Sequence, residues 1–171
     1  MPIVDVILEV LHALGDIAPR PFETKYAWNR RLRNIDKPQF ERGVRQLIDT
    51  GMLEATQKNN QKFLQLTKTG QLEVLLIKAR KISVQKWDGR WRLIMFDIPE
   101  AHKNKRQLFR SLLKENGFYK LQASVYISPF ALNSSAVSYL TETGLIQFIR
   151  ILRVDKMDND KNLKKYFKLS D

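Results

Sequence analysis

RLIMFDIPEAHKNK, residues 92–105, passes from four apolar residues, Leu93 to Phe96, through Asp97 and Ile98-Pro99 into a basic, helix-like stretch. An unbroken apolar run of this length reads as a strand buried on both faces, and the proline ends it. The helix that follows carries Leu108, Phe109, Leu112 and Leu113 on its core side and stops at Asn116-Gly117. A strand pair then lies within FYKLQASVYISPF (118–130), a helix follows Asn133 and ends near Gly144, and LIQFIRILRV (145–154) is a last strand. This is the βαββαβ order, so residues 91–171 are expected to form a ferredoxin-like domain with a C-terminal tail.

That domain has a covering problem. Its first and last strands are apolar on both faces, and two helices cover only one face of such a sheet, so a second copy related by a twofold axis is expected on the other. The tail DKMDNDKNLKKYFKLSD is expected to make a short helix with Leu163, Tyr166 and Phe167 inward. Asp97 itself has two readings. Two copies meeting at the axis would give a magnesium site for phosphoryl chemistry. Against that stand one carboxylate per chain, no adjacent histidine base, and the use of Asp-Ile-Pro as a helix cap or turn. Glu100 and His102 read as solvated loop residues, and Lys103, Arg106, Arg110 and Lys114 as a basic stripe that is either solvated or set against a DNA backbone.

Upstream, the first helix carries Val4, Ile7, Leu8, Leu11 and Leu14 on one stripe and stops at Gly15. A helix-prone segment, ETKYAWNRRLRN, follows the Pro19 and Pro21 turn. The third helix is sharper: Asp36 caps it, Pro38 fits its first turn, Phe40, Val44, Leu47 and Ile48 share a face, and Gly51 ends it. MLEAT and KFLQL then read as strands joined by QKNNQ, and LTKTG opens a fourth helix. This is the order of a winged helix-turn-helix over residues 1–82, with 83–90 as junction. Trp87 and Trp91 bracket the Asp88-Gly89 turn there and are expected to pack between the domains.

In a winged helix the third helix lies in the major groove. Its polar face holds Lys37, Gln39, Arg42, Arg45 and Gln46, and Gln and Arg make bidentate contacts to adenine and guanine edges. Arg30, Arg31 and Arg33, with Lys58 and Lys62 on the wing, would contact phosphates and set register without reading sequence. For all of these, a solvated surface is the alternative. The charge favours a polyanion: 30 Lys and Arg against 18 Asp and Glu give a net charge of +12. Residues 1–80 hold 13 basic and 9 acidic side chains, and residues 81–171 hold 17 and 9, so both halves contribute.

Composition also excludes. With 43% hydrophobic residues the chain is ordinary globular protein. There is no cysteine, hence no disulfide framework or thiolate site, and only two histidines. IVDVILEVLHALG is broken by Asp5 and Glu9 and fits neither a secretion signal nor a membrane span. A cytoplasmic protein with no membrane partner is expected.

WDGRWRLIMFDIPE, KNKRQLFRSLLKENGF and LQASVYISP resemble the central domain of the phenylacetic-acid-degradation repressor (PaaX-like) family over roughly residues 87–130, and the order of elements before LTKTG is similar to that family's N-terminal winged helix. That central domain in turn resembles the small CRISPR-associated adaptation nuclease, a ferredoxin-like symmetric dimer with an aspartate closing its first strand; Phe96-Asp97-Ile98 stands at that motif here. The sequence closes at Asp171, so part of the regulators' ligand-binding structure, with its acyl-coenzyme A sensing, is expected to lack a counterpart. The resemblance implies a homodimeric repressor of transcription that binds double-stranded DNA and occludes a promoter, with no cofactor and an effector left unspecified. The alternative is a magnesium-dependent nuclease, with Asp97 as catalytic and metal-binding residue, or a structural subunit of an adaptation complex.

Overall fold

The structure, a computed structural model, describes residues 3–5, 7–8, 37–58, 61–81 and 86–169. The chain divides into two compact units, residues 1–77 and 78–171. In the first unit residues 3–5 and 7–8 are helical, followed by α1 (Lys37–Asp49), an antiparallel hairpin of β1 (Leu53–Lys58) and β2 (Gln61–Leu66), and α2 (Lys68–Ala79), whose last two residues already belong to the second unit. Ile7, Leu8, Leu47, Leu53, Val74 and Ile77 form its core, and Phe40, Val44 and Leu66 pack against it. The segment expected to be the second helix, with Arg30, Arg31, Arg33 and Asp36, lies outside the described residues, as does Asn59-Asn60 of the hairpin connection.

Two glycines set how closely these elements approach. A Cβ on Gly43 would lie 2.7 Å from Cδ1 of Ile7, so α1 buries Gly43 against the N-terminal helical residues. This turns the apolar stripe of α1 and leaves Ile48, expected in the core, 37% exposed. The second glycine explains LTKTG. Thr67 Oγ1 accepts the amide of Gly70 (3.1 Å), capping α2, and donates to the carbonyl of Gly51 (2.6 Å). A Cβ on Gly70 would stand 2.1 Å from the Met52 carbonyl oxygen, so only glycine lets the start of α2 sit against the chain leaving α1.

The second unit runs β3 (Trp91–Phe96), a 3-10 turn (Glu100–His102), α3 (Lys103–Glu115), β4 (Tyr119–Gln122), β5 (Val125–Ser128), α4 (Ser134–Glu142), a 3-10 turn (Leu145–Phe148), β6 (Ile149–Val154) and α5 (Lys161–Phe167). The sheet order is β4-β5-β3-β6, every pair antiparallel. The expected α+β class holds here, with strands and helices in βαββαβ order. The last strand is shorter than expected, because Gly144 (φ +70°) leads Leu145–Phe148 into the 3-10 turn first. Asn133 starts α4 as expected: its Oδ1 accepts from the Ala136 amide (3.0 Å). Its Nδ2 donates to the carbonyls of Lys78 (2.8 Å) and Lys81 (2.9 Å), and Asn116 Nδ2 donates to that of Ala79 (2.6 Å). Within the second unit, which begins at Lys78, these two amides satisfy carbonyls that the helix end leaves unpaired.

Alternation along β3 separates the two sheet faces. Ile94 and Phe96 bury on the helix side, where Phe96 meets Phe109 of α3 edge-on at 5.1 Å and Tyr126 of β5 at 6.0 Å. On the opposite face Trp91, Ile127 and Leu163 form a second cluster with Leu93, Leu121, Val154 and Phe167. The chain therefore covers part of this face itself. The expectation that helices cover one face only is corrected: α5 folds back over the Trp91 end. Indole Nε1 of Trp91 donates to Asp160 Oδ2 (3.1 Å) at the start of α5, and the Phe167 ring lies 5.8 Å away. Trp87 packs on Trp91 at 5.5 Å. Trp91 is thus in the core of the second unit with Trp87 packed against it, because α5 offers them a local apolar surface. Tyr166, expected inward, is exposed. The far half of the face, with Met95 at 37% and Leu152 at 38% exposure, has no cover among the described residues.

Candidate nucleic-acid interface

α1 presents Gln39, Arg42, Arg45 and Gln46 to solvent on the side away from Phe40, Val44 and Leu47. The separation follows from the 3.6-residue period, which places positions 40, 44 and 47 on one stripe. Arg42 Nε donates to the Pro38 carbonyl (3.3 Å), laying its stem along the helix, and no carboxylate meets Arg42 or Arg45 among the described residues. Lys37 opens α1, Lys58 ends β1 opposite Gln61, and Lys62 pairs with Gln57 in β2. The side chains of these three lysines lie outside the description. Of the expected DNA-reading set, the structure thus brings four side chains together on one exposed helix face.

The basic stripe of α3 fares differently. Arg106 ion-pairs with Glu100 Oε2 and donates to the Ile98 carbonyl (3.4 Å). Arg110 donates to the Ala123 carbonyl (3.2 Å), and its guanidinium lies 5.9 Å from the Phe96 ring centroid. The Nε atoms of both are buried without a partner. Half the stripe is therefore built into the domain, and only Lys103 and Lys114 stand fully exposed. At the other end of β3, Asp88 is held by Arg92 (2.7 Å). The hydrogen-bonded guanidinium, aided by the Arg90 amide and opposed by partial burial, keeps its carboxyl below its ordinary value.

Asp97 extends β3 by one residue, its amide donating to the Phe148 carbonyl (3.0 Å). Its carboxylate caps nothing. The short turn and α3 begin at Pro99 and His102 without a side-chain cap, which corrects the capping expectation. With Met95, Ser124, Val125, Gln147 and Arg150 it lines an open cavity of about 480 Å³ on the uncovered sheet face. Arg150 spends one amino group on the carbonyls of Gln147 and Ile149 (3.1 Å each). Sequence reasoning missed Arg150, although the alternation of IRILRV places it beside Leu152 on that face. Glu100 is taken by Arg106, and the His102 ring stands 6.0 Å from Phe148. Among the described residues no three His, Cys, Asp or Glu side chains converge as a metal site. A single carboxylate sharing its cavity with a guanidinium does not fit a hard divalent cation within one chain.

Residues 84–165 match the family model described as the PaaX protein central Cas2-like domain. Over these residues the chain is similar to the PaaX Cas2-like domain. The match spans the whole four-stranded sheet, both 3-10 turns, α3, α4 and most of α5. Asp97, Arg150 and Trp91 therefore lie within the matched region, whereas α1 and its exposed face lie outside it. No curated protein matches the chain. No described helix is long and apolar enough to cross a membrane.

Proposed function

We propose that this protein is a homodimeric, sequence-specific regulator of transcription, a repressor that occludes promoter DNA. On this reading residues 1–82 are a winged helix, α1 enters the major groove, and the Cas2-like domain holds two copies at the spacing of two half-sites. The PaaX match supports a regulator. The observation that carries DNA reading is the face of α1, where Gln39, Arg42, Arg45 and Gln46 are exposed opposite a buried stripe, with no carboxylate partner among the described residues. The β1–β2 hairpin between α1 and α2 is where a wing belongs, with Lys58 and Lys62 as phosphate contacts and Arg30, Arg31 and Arg33 added from the preceding segment.

The test is a set of binding measurements on duplexes selected from a random pool. Arg42→Ala or Gln39→Ala should relax base preference at one position and cost about 1–3 kcal/mol per bidentate contact. Lys58→Ala should weaken all sequences alike, and about six phosphate contacts per dimer would give a slope near −5 in log affinity against log salt. Unchanged affinity and unchanged preference in Arg42→Ala would remove α1 from the groove. Magnesium or manganese in the same samples checks the nuclease reading: cleavage by the wild type that disappears in Asp97→Asn would replace the repressor by an enzyme.

A further inference from the structure

Asp97 and Arg150 are unlike charges on one sheet face that do not meet. Met95 pairs with Arg150 in the β3–β6 register and the Asp97 amide bonds to Phe148, so Asp97 and Arg150 are diagonal neighbours. Diagonal Cβ atoms lie roughly 7–8 Å apart, and no ion pair joins these two side chains in one chain. Both are exposed, the carboxylate accepts no hydrogen bond among the described residues, and the guanidinium keeps donors free beyond its own backbone carbonyls. Met95 and Leu152, the exposed apolar residues of the face, stand beside them. α5 closes the other half, and no described element of the second unit reaches this one.

A twofold axis lying in the plane of such an interface carries each side chain to the far side of the axis on the opposing copy. If it passes midway between Asp97 and Arg150, each carboxylate meets a guanidinium, twice, and the apolar residues beside them meet each other. A face with a plus and a minus set side by side is thus complementary to itself, whereas a face of one sign is not. We propose that, across the uncovered half of the sheet where a second copy is expected, Asp97 forms reciprocal ion pairs with the partner's Arg150 instead of holding a metal ion. The inference rests on the homodimer of the proposed function and gives the carboxylate at the end of β3 a positioning role: it fixes the register of two Cas2-like domains. Charged pairs at an interface act in this way, by penalising wrong arrangements.

The experiment is sedimentation equilibrium of the full chain with and without a chelator. Wild type should dimerise equally in both. Asp97→Arg and Arg150→Asp should each weaken self-association by about 100-fold or more, because like charges then face each other twice. Mixing the two variants should restore association to within about tenfold of wild type, since one chain then presents guanidinium groups at both positions and the other carboxylates at both. The milder pair Asp97→Asn and Arg150→Gln should weaken association less and show no rescue on mixing. Circular dichroism checks that the variants remain folded, as both side chains are exposed. A wild type monomeric at tens of micromolar overturns the dimer and this inference together. A wild-type dimer that neither reversal disturbs, that mixing fails to restore, or that requires magnesium overturns the pairing alone and leaves the dimer standing.

Discussion

Arg42 and Arg45 of α1 stand in solvent and meet no carboxylate among the described residues, while in the second unit Arg80, Arg90, Arg92 and Arg106 each meet one: Glu115 at 3.3 Å, Asp155 at 2.8 Å, Asp88 at 2.7 Å, and Glu100. Arg110 and Arg150 bond backbone carbonyls instead. Residues 81–171 carry the larger excess of basic side chains, 17 against 9, yet several of their arginines, Arg92, Arg106 and Arg110 among them, are half-buried and bonded within the unit. Net charge thus points to a polyanion without saying where it binds. What counts is which cations have donors left over, and among the described residues the exposed face of α1 holds two, Arg42 and Arg45.

The largest expected effect tests how firmly the second unit encloses its own groups. Trp91 is buried between the sheet and α5, hydrogen-bonded to Asp160 and in ring contact with Trp87 and Phe167. Trp91→Ala should lower the unfolding free energy by about 3–5 kcal/mol, read from urea denaturation of the second unit's transition. A loss under about 1 kcal/mol would mean that the α5 cover contributes little and that the face is open to a partner along its whole length.

A paired substitution sharpens the comparison with a smaller effect. Arg106→Ala loses a hydrogen bond to the Ile98 carbonyl and a packed stem, while its ion pair with the exposed Glu100 contributes little. It should cost about 1 kcal/mol of stability and leave DNA affinity within about threefold. Arg45→Ala should do the opposite: stability within about 0.5 kcal/mol, with clearly weaker binding of the selected duplex. Thermal unfolding and fluorescence anisotropy on the same two proteins read both effects. A reversed pattern would place the DNA surface on α3.

Much of this was legible in sequence because it is local. Alternation and punctuation give the βαββαβ order, and Asn133 three residues before Ala136 marks the start of α4. The period of 3.6 sorts the faces of α1. What sequence does not carry is which surface a segment meets. Leu163 and Phe167 announce an apolar helix face but not that it docks on Trp91, so the covering problem looked larger than it is. Gly43 and Gly70 are close-approach sites only because Ile7 and the Met52 carbonyl arrive beside them. Likewise, Arg106 reads as a surface cation until Glu100 and the Ile98 carbonyl are placed around it. Arg150 drew no notice, since its interest lies in a neighbour two positions away on another strand.

The smallest effect concerns Asp88, an exposed carboxylate in the second unit's set of internal pairs. Arg92 holds it with both amino groups, at 2.7 and 3.4 Å, and the Arg90 amide adds a third donor at 3.1 Å. These bonds favour the charged form, so the folded-state value lies below the ordinary 3.8 that the unfolded chain retains. The unfolded state then binds the proton more readily, and the pair's contribution is complete above the unfolded value and disappears as pH falls through the folded one. Wild type and Asp88→Asn should therefore differ in melting temperature at pH 6, with wild type higher, and converge as pH falls well below the ordinary carboxylate value. Because the group is exposed, the difference should be small and should shrink further at about 1 M salt, where screening acts within roughly 3 Å. A gap between the two proteins that persists at pH 2 would show that Asp88 acts by shaping the turn before β3, through its acceptor geometry, and not by its charge.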